Sequence, residues 1–181
     1  MDPYIILDKY LKKGSKAYNV IVPHSALVAK KALEVADRVP ELNPNKKFIE
    51  EIALLHDVGI CYIGSSLFGT NGNHRYIEHG ILGADLLRKE GYPQHALAVE
   101  RHIGVGITQK QIEEENLPLP KRDMIPSTVE EEILAFADNF FSKTKSEKLT
   151  VSEIMDKLES FGKDKSQKFK EWCIKFKEPI N

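Results

Sequence analysis

Cysteine is scarce in this sequence. Only Cys61 and Cys173 occur, far apart and in no CxxC spacing, which argues against a disulfide framework and fits a reducing compartment. Long apolar runs are missing too. No stretch approaches the roughly 20 residues that span a bilayer. The N-terminus, Met-Asp-Pro-Tyr-Ile-Ile-Leu-Asp, has neither the basic start nor the apolar stretch of a secretory leader. A cytoplasmic protein without a membrane partner is expected. Net charge is small: 26 Lys and Arg stand against 27 Asp and Glu, a formal −1. That balance leaves no polybasic device for gripping nucleic acid, which is not expected as a partner. Arginine is rare, with only five in the chain. What remains is ordinary: 181 residues, 41% apolar and 29% charged, enough for a single domain over 1–181 with a real core.

Strand alternation is absent, and apolar residues recur at i, i+3, i+4 instead. This spacing predicts helices near 3–13, 24–39, 46–57, 77–90, 94–103, 128–143, 151–161 and 165–177, hence an all-α fold. Pro40, Gly59, Gly91 and Gly104 supply stops. Ser127 and Glu130 form a predicted capping box before the sixth helix. Asn71-Gly72 lies in a loop with no strand pattern around it. Two long loops, 60–76 and 104–126, are long enough to be functional, and 109–115 is predicted as a helical turn within the second. From Ser142 onward ten Lys face seven acids, read as a solvated face on a terminal helical hairpin. Phe169, Trp172, Cys173 and Phe176 make a core stripe on its last helix, with Cys173 an inert buried thiol.

Chemistry concentrates in the histidines. His24, His56, His79 and His102 fall on apolar helical stripes, as does Asp138, and Asp57 directly follows His56. Side chains on such stripes point inward. A single inward histidine is commonly a satisfied core residue. Four of them with two carboxylates, on five helices, cannot satisfy one another cheaply, because each buried carboxylate needs positive charge. Metal ions supply it, and imidazole with carboxylate suits Fe, Mn, Co, Ni or Zn. One metal cannot use all six and stay open, whereas two sharing a carboxylate can. His74 and His95 are read as surface residues.

The ordered set His24…His56-Asp57…His79…His102…Asp138 resembles the HD-domain superfamily of metal-dependent phosphohydrolases. Leu-Leu-His56-Asp57-Val-Gly-Ile is similar to the H-D-I-G form of one large subgroup. Pro23-His24-Ser25, Glu78-His79-Gly80, Glu100-Arg101-His102-Ile-Gly and the run from Pro126 to Asp138-Asn support it. The resemblance covers 20–142 and leaves 143–181 as a C-terminal helical extension. It implies one divalent ion on His24, His56, Asp57 and Asp138, and a second on His79 and His102, with Asp57 bridging. The implied activity is hydrolysis of a phosphate ester or anhydride, with a nucleotide expected, by metal-bound hydroxide.

Anionic substrate needs cations. Arg75 and Arg101 flank the motif and are expected to act in substrate binding and catalysis; Lys121 and Arg122 are further substrate-binding candidates. Many hydrolytic relatives carry Lys or Arg directly after the HD-x-G unit, where this chain has Ile60. Arg75 is expected to take that role, and a lysine placed at 60 to restore it. The departure at Ile60 keeps two alternatives open: a di-iron oxygenase of the same superfamily, and a metal- or nucleotide-binding module without turnover.

Overall fold

The computed structural model describes residues 1–143 and 148–180. These form α1 (Pro3–Tyr10), α2 (Lys16–Arg38), α3 (Lys46–Leu55), α4 (His79–Lys89), α5 (Pro93–Arg101), α6 (Gln109–Glu114), α7 (Val129–Asp138), α8 (Val151–Glu159) and α9 (Lys163–Lys175). The all-α expectation holds. The first long loop nevertheless contains a small antiparallel hairpin, β1 (Gly64–Ser65) with β2 (Thr70–Asn71). Two-residue strands are too short to show alternation, so the sequence reading missed them.

Several helix boundaries differ from the sequence reading; α1, for example, ends at Tyr10 rather than near 13. α2 begins at Lys16 rather than near 24, capped by Ser15, whose Oγ accepts from the Tyr18 N–H at 3.2 Å. Pro23 lies inside the helix. It costs the bond to the carbonyl four residues earlier, but Pro23 and Asn19 both lie on the exposed face, where water can satisfy that carbonyl. α3 stops at Leu55 and α7 at Asp138, both short of the predicted ends. The cap of α7 is shifted by one residue: Thr128 Oγ1 accepts from the Glu131 N–H at 3.2 Å, and Glu131 receives the Ser127 N–H at 2.7 Å.

α2 runs through the molecule and contributes to both large apolar clusters. One gathers α2, α3, α7, α8 and α9 around Val28, Ile52, Phe136 and Trp172. The other gathers α1, the start of α2, the 3-10 turn Val58–Tyr62, α4 and α5. Phe169 stacks on Phe136 with centroids 5.0 Å apart, and Trp172, Cys173 and Phe176 are buried beside it. Burial pushes the Cys173 thiol up to about 11, which leaves it protonated and unreactive. No helix of the described residues is long and apolar enough to cross a membrane.

Where α4 meets the Val58–Tyr62 turn, a glycine pair sets the distance. A Cβ on Gly59 would stand 2.1 Å from the His79 carbonyl oxygen and 2.5 Å from the Gly83 backbone nitrogen. Both are backbone atoms and cannot swing aside. Gly59→Ala should therefore push α4 off the turn that follows Asp57, costing about 3 kcal/mol. Urea unfolding measures the loss, and an unchanged midpoint would refute the close-packing argument.

Candidate metal centre

The six donors converge. His24 sits mid-way along α2, while the other five occupy helix ends: His56 and Asp57 just after α3, His79 at the start of α4, His102 just after α5, and Asp138 at the last position of α7. Helix ends let side chains from separate elements meet at one point. His24, His56, Asp57, His79 and His102 are buried.

Two donor sets share Asp57. Its Oδ2 lies 3.2 Å from His56 Nε2 and 3.5 Å from His24 Nε2. Asp138 Oδ1 completes this set at 3.0 Å from His24 Nε2 and 3.4 Å from His56 Nε2. Asp57 Oδ1 faces the other way, 3.2 Å from His79 Nε2 and 3.9 Å from His102 Nε2. Donors held about 2.0–2.2 Å from one ion stand about 3 Å from each other, which is the spacing seen in both sets.

Imidazole orientation sharpens the reading. Nδ1 of His56, His79 and His102 lies 2.7, 2.6 and 2.6 Å from the carbonyl oxygens of Ala53, Tyr76 and Val99. A carbonyl only accepts, so each Nδ1 carries a proton and each ring turns its Nε2 inward. The Nε2 atoms of His79 and His102 stand 3.1 Å apart. Asp57 is fully buried, and apart from the Lys143 ammonium 2.9 Å from Oδ2 its oxygens meet only these imidazoles among the described residues. Such a set attracts positive charge. Burial opposes a proton on His56, but the carboxylates of Asp57 and Asp138 outweigh it and push its pKa up to about 10. His102 moves the other way, to about 3, through burial and the neighbouring His56 and His79. Backbone-anchored Nδ1 with inward Nε2 is the arrangement metal-ligating histidines use, so the residues fit divalent transition metals.

The expected substrate cations are placed differently. A cavity of about 650 Å³ opens over the centre, lined by His79, His102 and Asp138. None of Arg75, Arg101, Lys121 and Arg122 lines it. Arg101 is drawn onto Ser127 Oγ (2.7 Å) and Glu131 (3.1 Å), and Arg122 onto Glu100 (2.7 Å). Arg75 and Lys121 are exposed. Buried Glu100 and Glu131 take the two guanidiniums because an unpaired buried carboxylate is costly. His74 is exposed and bonded to Glu78, whereas His95 is only half-exposed, with Nε2 2.8 Å from Glu51.

Sequence reasoning missed Lys143. Its Nζ lies 2.9 Å from Asp57 Oδ2 and 5.8 Å from the Tyr76 ring centroid, and it lines the cavity. The signal was a lysine five residues past Asp138, but it becomes legible only once α7 ends at Asp138. Asn139 then holds the chain there, donating to the carbonyls of Gly104 and Ala135 at 2.8 Å each. Ile60, by contrast, is fully buried among apolar neighbours. The expected rescue by lysine at that position is thereby corrected. Ile60→Lys should instead bury an unpaired ammonium, cost about 3–5 kcal/mol in urea unfolding, and add no phosphate release.

Comparisons with known proteins place the chain in a family and a fold. Residues 21–142 match the HD domain family. An uncharacterized protein of Methanocaldococcus jannaschii is 37% identical over 77% of this chain and 75% of its own length. Two proteins named tRNA (cytidine(56)-2'-O)-methyltransferase, from Picrophilus torridus and Thermoplasma volcanium, are 35% and 32% identical over 82% and 86% of this chain. The chain spans only 38% and 40% of their lengths. In fold it resembles the HD domain of the L. monocytogenes phosphodiesterase PgpH, with a TM-score of 0.51 at 19% identity over 88% of this chain and 83% of that one. Because the family match contains all six converging donors, from His24 to Asp138, the chain belongs to the HD-domain family.

Proposed function

We propose that this protein hydrolyses a phosphate ester or anhydride, with a nucleotide as the favoured substrate, at two divalent transition metal ions. The observation that carries the reading is Asp57, whose two oxygens face two separate donor sets, of which His79, His102 and Asp138 line one cavity. His24, His56, Asp57 and Asp138 would hold one ion; His79, His102 and the shared Asp57 would hold the other. Ions bound there acidify water toward neutrality and polarise phosphoryl oxygens.

The chain's own residues do the rest. The Nδ1–H bonds to Ala53, Tyr76 and Val99 fix three imidazoles, so their lone pairs do not swing toward substrate. Lys143 offers N–H donors at the cavity wall and takes the phosphate-binding role expected of Arg75 and Arg101. The cavity volume of about 650 Å³ falls in the range of organic-ligand sites, so the substrate carries an organic group beside its phosphate.

Metal analysis on anaerobically purified protein, coupled to a phosphate-release panel with Mn, Co, Fe and Zn supplied separately, tests the reading. The panel spans nucleotides, sugar phosphates and a tRNA fragment with a terminal phosphate, the last because two relatives are named for tRNA. Oxygen-independent phosphate release is expected. Oxygen consumption with Fe and no phosphate release would replace the hydrolase with a di-iron oxygenase. Nucleotide binding without turnover under every metal would leave a binding module.

A further inference from the structure

The family match ends at residue 142, yet the cavity does not. Its outer wall comes from the α8–α9 hairpin, through Lys157, Leu158, Phe161 and Lys165. The hairpin is fixed from two sides. Phe169 of α9 stacks on Phe136 of α7, and Lys165 Nζ donates to the Gly106 carbonyl at 2.9 Å, in a loop that itself lines the cavity. At the turn between the two helices stands Phe161, 62% exposed. Its neighbours on the stripe, Leu158 and Ile154, are buried. Phe161 could have been polar at no cost to the core. One turn earlier Lys157 is exposed and also lines the cavity. The cavity lining also includes Tyr76 and Phe68, whose rings stack at 6.2 Å with planes 15° apart.

We propose that Phe161 is the specificity-determining contact of this site, a stacking platform for the flat aromatic group of a phosphate-bearing ligand, with Lys157 beside it for the ligand's negative charge. The proposal rests on the hydrolytic reading for the position of the phosphate. From there the ligand extends outward along an apolar wall toward the hairpin. An aromatic ring fits an exposed phenyl face because stacking needs no hydrogen-bond partner and tolerates different bases. The C-terminal hairpin is thus part of the binding site, and exchanging it would exchange ligand preference while leaving the six donors untouched.

Calorimetric titration of the full, Mn-loaded chain with phosphonate analogues of AMP and of ribose 5-phosphate tests this. The two differ only in the base, and their C–P bonds are not hydrolysed. The wild type should prefer the AMP analogue. Phe161→Ala should cut that preference about tenfold, the size of one stacking contact, and Phe161→Trp should restore it at unchanged metal content. Lys157→Glu should weaken both analogues alike. Equal binding of the two analogues by the wild type, or a preference that survives Phe161→Ala, would overturn the proposal. A uniform loss on both ligands from Phe161→Ala would also overturn it, since that is what a merely structural residue would give. Phosphate release from esters is scored separately. A base preference that depends on Phe161 without any release sinks the hydrolytic reading and leaves the platform standing.

Discussion

Asp57→Asn should empty both metal positions at once and lower phosphate release by about a thousandfold or more. The carboxylate stands between the two donor sets, with Oδ2 3.2 Å from His56 and Oδ1 3.2 Å from His79. An amide of the same shape keeps one oxygen, brings an NH2 that no metal accepts, and removes a negative charge from a site of four imidazoles. His79→Ala and His102→Ala each touch only the second set, so each should cost close to one ion per chain and spare the first. Metal counts by mass spectrometry on the three purified variants check this. Equal losses from all three would mean that the donors act as one site. The folded state should survive Asp57→Asn, because the amide keeps the shape of the carboxylate and leaves an oxygen to accept from Lys143, 2.9 Å away. A preserved circular-dichroism spectrum separates loss of metal from loss of fold.

How far this centre could be read from the sequence depends on where each residue stands. The four inward histidines were legible because helical periodicity aims side chains without knowledge of the neighbours, and His24, His56, His79 and His102 all keep apolar company at i±3 or i±4. Asp57 was legible only through its adjacency to His56. The sequence reading began the second helix near 24, yet α2 continues back through Pro23. Whether its missing N–H matters depends on which face of α2 it occupies, and here that face is solvent. Arg75 and Arg101 stand outside the cavity lining. Adjacency to a ligand suggests a shared site, but successive residues on a helix point about 100° apart. Arg101 follows that rule and turns to buried Glu131 while His102 turns inward. No local pattern announces a buried acid that will capture an arginine from another helix. Phe161 and Lys157 belong to the same class: their importance lies in the packing of α9 on α7, a contact between segments far apart in sequence.

Lys143→Ala should lower kcat/KM by about 1.5–3 kcal/mol of barrier, roughly ten- to a hundredfold, the cost of a lost charge-assisted hydrogen bond to a phosphoryl oxygen. The lysine stands where the sequence pattern had no cation. Its Nζ is 2.9 Å from Asp57 Oδ2, and its side chain is only 10% exposed. Burial works against its charge, but Asp57 and Asp138 outweigh that and hold it firmly protonated. A protonated lysine against a metal-binding carboxylate has two opposite consequences. It competes with cations for Asp57, and it presents ammonium protons where a phosphate would approach. Removing it therefore separates the roles. If Lys143 binds substrate, Lys143→Ala raises KM and lowers kcat/KM while metal content holds or rises, and Lys143→Arg recovers part of the loss. If Lys143 only neutralises Asp57, the alanine variant binds metal more tightly and turns over substrate at the wild-type rate. Steady-state kinetics and metal titrations on the two variants decide between them. A variant with unchanged kcat/KM would return the substrate's cation to the exposed loop at Arg75, and Arg75→Ala would then carry the loss instead.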